Sequence, residues 1–179
     1  KEQTASSSAT ISFVDGASDV VLDSTYPIYL FKFINIHVAT DNAEFEFNVS
    51  IDGGSNYNVA KTTTWFQNYH NEGDTAADIT YETGQDLANG TGVSDLTTSM
   101  GADNDQSLSG DFWLFNPSST TFVKHFITRT HSYNGGDYAF DIHTAGYVNS
   151  TSAVNAIQFS TDTGNIDAGD IKLYGIKDS

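Results

Sequence analysis

The chain has no cysteine, which excludes thiol catalysis, zinc–thiolate centres and disulfide scaffolds and leaves no mark of a redox compartment. Positive charge is nearly as scarce. Seven Lys and Arg stand against 23 Asp and Glu, giving a formal charge of −16 and a pI of about 4.2. A nucleic-acid binder shows a basic stripe, and an anionic membrane attracts polybasic segments; seven scattered cations make neither. Long apolar runs are also missing, and none approaches the roughly 20 residues that cross a bilayer as a helix. There is one Met, and no segment of helical periodicity is long enough to claim. Lys1 is followed by no apolar h-region, so the expectation is a start that has been trimmed or processed, with no targeting signal to read.

What is present points to β structure. The 179 residues suit one domain with a core large enough to need no staple. Aromatics make up 13% of the chain, with 12 Phe and 9 Tyr, and such residues suit a pleated, half-buried surface. Eighteen of the acids are Asp, and Ser and Thr together supply forty residues. Asp, Asn, Gly, Ser and Thr are turn chemistry. A disordered acidic tail is the bland alternative for such charge, and the aromatic content argues against it.

Residues 1–9 are polar and Ser-rich and read as an N-terminal arm, with a single domain over 10–179. Thr10–Val14 starts the alternation of a strand. Tyr26–Val38 is the longest apolar stretch, with both parities apolar at its start, which fits a strand covered on both faces. Phe45, Phe47, Val49 and Ile51 alternate with Glu44, Glu46, Asn48 and Ser50, the pattern of a half-exposed strand closed by Asp52-Gly53-Gly54. A Thr-rich strand over Tyr57–Tyr69 follows. His70–Gln106 reads as a long excursion holding one or two short strands, and excursions of that length are usually functional. Strand patterns return at Ser109–Phe115, Thr121–Thr130, Tyr138–Val148, Val154–Phe159 and Asp170–Ile176. Recurrent short strands predict an all-β fold: an antiparallel, jelly-roll-like β-sandwich with long loops.

Candidate chemistry is thin. His37, His70, His125, His131 and His143 form no metal-binding spacing, and His37 and His125 read as structural residues within strands. Gly-x-Ser-x-Gly is absent, and Gly53-Gly54-Ser55 is a hairpin turn. Paired carboxylates for glycoside hydrolysis need two acids facing across a cleft, about 5–10 Å apart; Glu44 and Glu46 share a strand face, whose default is solvation. Calcium is the one cofactor left open, with Asp103, Asp105, Asp162 and Asp167 as weak candidate ligands in Asp/Asn-rich turns that match no EF-hand. Trp65, Tyr69, Tyr81, Tyr133 and Tyr138 lie near loops and are candidates for stacking on a glycan, against packing in the core or a subunit interface. Sequons at Asn48, Asn89 and Asn149 are expected by chance in this composition.

Several phrases stand out together: Gln3–Ile11, Phe33–Asp41, Phe45–Phe47 leading to Asp52–Tyr57, Asn116–His125, Ala145–Phe159, and Ser160–Ile176 with its closing Ile171-Lys172-Leu173-Tyr174-Gly175. As a set they resemble a family of virion structural proteins from tailed phages of marine bacteria, cyanophages especially, almost end to end. The segment 70–106 matches most loosely. The resemblance implies a non-enzymatic virion component on the particle surface, as a capsid decoration or part of the tail or fibre apparatus. It carries no functional residues across. It also implies contacts with other virion proteins and a homo-oligomer, with a trimer the form that phage fibres and decorations suggest, and an arm at 1–9 anchored to a neighbouring subunit. The alternative is a carbohydrate- or host-receptor-binding module that takes a host-surface glycan. No partnership with nucleic acid or membrane is expected.

Overall fold

The computed structural model describes residues 1–177. Twelve strands and no helix occur among them: β1 (Glu2–Thr4), β2 (Thr10–Val14), β3 (Ile28–Val38), β4 (Phe45–Ser50), β5 (Lys61–Asn71), β6 (Ala77–Tyr81), β7 (Ser94–Asp95), β8 (Leu108–Phe115), β9 (Lys124–Tyr133), β10 (Tyr138–Val148), β11 (Ala156–Thr161) and β12 (Ile166–Ile176). All pairings are antiparallel. Eight strands form one sheet in the order β1-β12-β3-β8-β9-β10-β5-β6, and four form a second in the order β2-β11-β4-β7.

The two inner faces meet in one aromatic core, so the all-β sandwich expected from the sequence is present. Phe31, Phe33, Phe112 and Phe126 come from the large sheet; Phe13, Phe45, Phe47 and Phe159 come from the small one. Phe159 lies within 6.4 Å, centroid to centroid, of Phe13, Phe31, Phe33, Phe45 and Phe112, mostly edge to face, the arrangement that ring quadrupoles favour. A second cluster of Trp65, Phe140 and Ile142, with Tyr69 and Tyr138 packed against it, extends the inner side of β5 and β10. The eight-and-four division differs from the two four-stranded sheets of a jelly roll.

Three expectations change. First, β3 is not covered on both faces. Tyr29, Phe31 and Phe33 point into the core, but beyond Asn35 the buried residues are Ile36 and Val38, of the opposite parity. A β-bulge between Phe33 and Ile36 explains the switch: Asn35 adopts a left-handed φ of 49° and the register to β8 slips there. The neighbouring β12 carries matching irregularities between Ile166 and Asp170, where Gly169 has a φ of 108°. The switch accounts for Ile36 and Val38, whereas the apolar outward residues before it belong to an apolar outer face. Leu30 and Ile34 lie on the other face and keep solvent access.

Second, β4 is buried on both faces. Its acidic and polar side is covered by the distant segment 82–106, so Glu46 and Asn48 are only 7% and 5% exposed. Asn48 Nδ2 donates to the carbonyls of Thr91 and Gly92, each at 3.2 Å, and Gln85 Nε2 donates to Glu44 at 2.9 Å. The excursion does contain two short strands, β6 and β7.

Third, residues 1–9 lie along this chain's own β12. Glu2, Gln3 and Thr4 pair with Lys172, Ile171 and Asp170, Ser8 bridges to Ile166, and Ala5 is buried. Gln and Thr serve an edge strand well, but they carry no apolar alternation by which to recognise one.

Candidate functional site

The outer face of the eight-stranded sheet is the most distinctive surface of the molecule. Antiparallel register aligns outward side chains into rows that cross the strands. One row spans all eight: Glu2, Lys172, Lys32, Asp111, Arg129, His143, Phe66 and Tyr81. Its charges pair within the face. Lys32 Nζ lies 2.5 Å from Asp111 Oδ1, and Lys172 Nζ lies 3.6 Å from Glu2. Arg129 donates to Asp141 through Nε at 2.8 Å and through a terminal nitrogen at 3.0 Å. That guanidinium fork, offset in part by burial, holds the Asp141 carboxyl down at about 2.

The aromatic end of the row is equally ordered. Phe66 and His143 stack face to face, with centroids 4.8 Å apart and planes 1° from parallel. Tyr81 stands directly across from Phe66 and donates through its hydroxyl to Asp86 at 2.6 Å.

The adjacent row is apolar: Tyr174, Leu30, Trp113, Ile127, Ala145 and Thr64. Six of the ten large hydrophobic residues that remain exposed, namely Ile34, Phe66, Ile79, Tyr81, Ile127 and Tyr174, lie on this face. Exposed apolar side chains gathered on one face, rather than scattered singly, mark an interaction surface. A shallow depression of about 560 Å³ lies along the charged row, mostly on the side away from the apolar row, lined by Lys32, Ile34, Asp111, Arg129, Asp141 and Tyr174.

The predicted site residues are dispersed. Trp65 has no accessible surface, and its Nε1 donates to the Asp95 carbonyl at 3.0 Å, so no sugar can stack on it in this fold. Tyr69 and Tyr138 pack with Phe140 on the inner side of the sheet. Tyr133 donates to Asp137 at 2.9 Å. Of the five, only Tyr81 joins the outer aromatic group.

The structure brings only some of the calcium candidates together. Asp105 and Asp167 line a polar cavity of about 480 Å³ with Asn35, Asn104 and His37. Asp103 turns its carbonyl to His37, while Asp162 lies at the far side of β11, accepting from the Glu44 amide at 2.7 Å. No group of three or more His, Asp or Glu side chains placed to hold a metal occurs among the described residues.

Asn48 is buried, so that sequon is closed in the folded chain, whereas Asn89 and Asn149 are exposed and hydrogen-bonded to each other at 2.8 Å. The residues missed in the sequence are Lys32, Phe66, Asp111, Ile127, Arg129, Asp141, His143 and Tyr174. A signal did exist for two of them and for Lys172 beside them. In a chain with seven cations, Lys32, Arg129 and Lys172 fall inside strands rather than in turns.

Compared with known proteins, the chain matches no family model, no curated protein and no solved structure.

Proposed function

We propose that this chain is a non-enzymatic structural module of a phage virion, exposed on the particle as a capsid decoration or as part of the tail or fibre apparatus, and that it works by contact. The observation that carries this reading is the outer face of the large sheet, where paired charges and exposed Ile127, Tyr174 and Phe66 form one broad surface on a chain of charge −16. A contact module needs such a face and no reactive constellation. The sequence resemblance to phage virion proteins supplies the setting and the class of partner, other virion proteins. Immunogold labelling of purified particles tests it: gold on particle surfaces is the expected result, and particles without label overturn the reading.

A second reading, binding of a host-surface glycan, is favoured by the Phe66–His143 stack with Tyr81 beside it, an aromatic platform next to the polar groups of Asn68 and Asp141. Aromatic faces of this kind hold sugar rings by burial of their apolar side. A glycan array decides it: retention lost in Phe66→Ala supports the platform, and a silent array removes it.

A further inference from the structure

The geometry points to a second copy of this chain as the occupant of the outer face of the eight-stranded sheet, an inference that rests on the contact-module reading above and names its partner. Three observations converge on it.

The first is where the cations are. Lys61 and Lys124 are fully buried. The remaining five, Lys1, Lys32, Arg129, Lys172 and Lys177, all stand on or directly beside β1, β3, β9 and β12 of this sheet. There Lys32, Lys172 and Arg129 face Glu2, Asp111, Asp141 and Asp170, so the face is close to neutral while the chain as a whole is at −16. Two such chains repel each other wherever their acidic surfaces approach within a Debye length, about 8 Å at physiological ionic strength. Over this face that repulsion is absent.

The second is the order of the charges. Along the spanning row an acid (Glu2) is followed by two cations (Lys172, Lys32), an acid (Asp111) and a cation (Arg129), with Asp141 held by Arg129. About a two-fold axis running along the strands between β8 and β9 this row is self-complementary: Asp111 of one copy meets Arg129 of the other, while Lys32, Lys172 and Glu2 meet His143, Phe66 and Tyr81, so no two acids and no two Lys or Arg side chains are opposed. A partner of single sign gains nothing from such a row.

The third is size. Eight strands about 4.8 Å apart and four outward rows about 7 Å apart give roughly 34 by 20 Å, or about 700 Å², near the ~800 Å² that each partner contributes to a standard interface. The apolar row of Tyr174, Leu30, Trp113 and Ile127 crosses its interior, where anchoring residues belong.

Sedimentation equilibrium of the full chain from roughly 1 to 100 µM, a range that reports micromolar self-association, tests the inference. The expected result is a dimer whose association weakens by at least about tenfold in Ile127→Glu and in Tyr174→Lys, since a charge is then forced into a closed apolar row. Val21→Glu and Ile51→Glu, exposed but off this face, leave association unchanged. Thermal melts confirm that each variant is folded, and the two face variants back each other. A chain that stays monomeric over this range, or a dimer indifferent to both face variants, overturns the inference. A monomer that nonetheless labels particles overturns self-association while sparing the contact-module reading; a dimer found on no particle does the reverse.

Discussion

His37 Nδ1 lies 2.7 Å from an Asp167 carboxylate oxygen, and its Nε2 lies 3.0 Å from the Asp103 carbonyl. Both partners are acceptors, so only the doubly protonated imidazolium satisfies both contacts. The pair clasps the bulged parts of β3 and β12 to the loop that carries Asp103. Partial burial pulls the His37 pKa down, but the Asp167 and Asp103 hydrogen bonds outweigh it, and the net position is above the ordinary 6.5. The stability this group supplies is therefore complete below pH 6.5 and is lost as pH rises through the folded value. The expected outcome is a chain about 1 kcal/mol less stable to urea at pH 8.5 than at pH 6 from this source, a modest figure because the site is partly solvated. His37→Gln should remove that share of the pH dependence.

Asp95 predicts a second pH effect. Burial first, then the nearby carboxylates of Glu44, Glu46 and Asp162, push it up to about 7 from an ordinary 3.8. An acid raised in this way carries no penalty below pH 3.8; the penalty grows between there and about 7 and is constant beyond. Asp95→Asn keeps the shape and leaves the Asp95 carbonyl, which accepts from Trp65 and Thr144, untouched. The expected gain is about 1–2 kcal/mol at pH 8 and none at pH 4, because partial solvent access tempers the electrostatic cost. Melting temperatures at the two pH values check it, and an equal shift at both would show a packing effect instead.

Much of this fold was legible because alternation survives in the sequence wherever one face of a strand is buried. Tyr138–Val148 is read with its observed bounds, and Thr10–Val14 likewise. Periodicity could not see the bulge at Asn35, which inverts parity without interrupting the apolar run. It also could not see that residues 82–106 fold back over Glu46 and Asn48, because the cover is far away in sequence. The candidate face was illegible for the same reason. Lys32, Asp111, Arg129 and His143 come from four strands, and only the register makes them neighbours.

The bulge itself is testable. A Cβ on Gly169 would sit 2.5 Å from the Asn35 carbonyl oxygen and 2.7 Å from Ile36 Cα, and a φ of 108° is strained for any L side chain. Gly169→Ala is expected to cost about 2–4 kcal/mol, since backbone rather than a flexible side chain must move. A chemical-denaturation midpoint unchanged from the parent would mean that the two bulges relax together.

Lys61 supplies the last prediction. Its ammonium is buried without a carboxylate partner among the described residues, held instead by Asn48 Oδ1 at 2.6 Å, the Gly92 carbonyl at 2.8 Å and the Val59 carbonyl at 3.2 Å. Desolvation pulls its pKa down to about 8 from 10.5. A folded pKa that is depressed for a base means that the charged form is costly, and stability falls as pH drops from about 10.5 to 8. The closest acceptor is therefore decisive. Asn48→Leu should cost about 2–4 kcal/mol at pH 7, because it strips a buried cation of its shortest hydrogen bond. Lys61→Met should be much milder, since it removes the desolvated charge and keeps the stem's volume. If the cation is what makes Asn48→Leu expensive, the double variant recovers at least about 1 kcal/mol relative to the sum of the two single changes. Additive losses in that cycle would locate the cost of Asn48→Leu in the Thr91 and Gly92 carbonyls that Asn48 also caps.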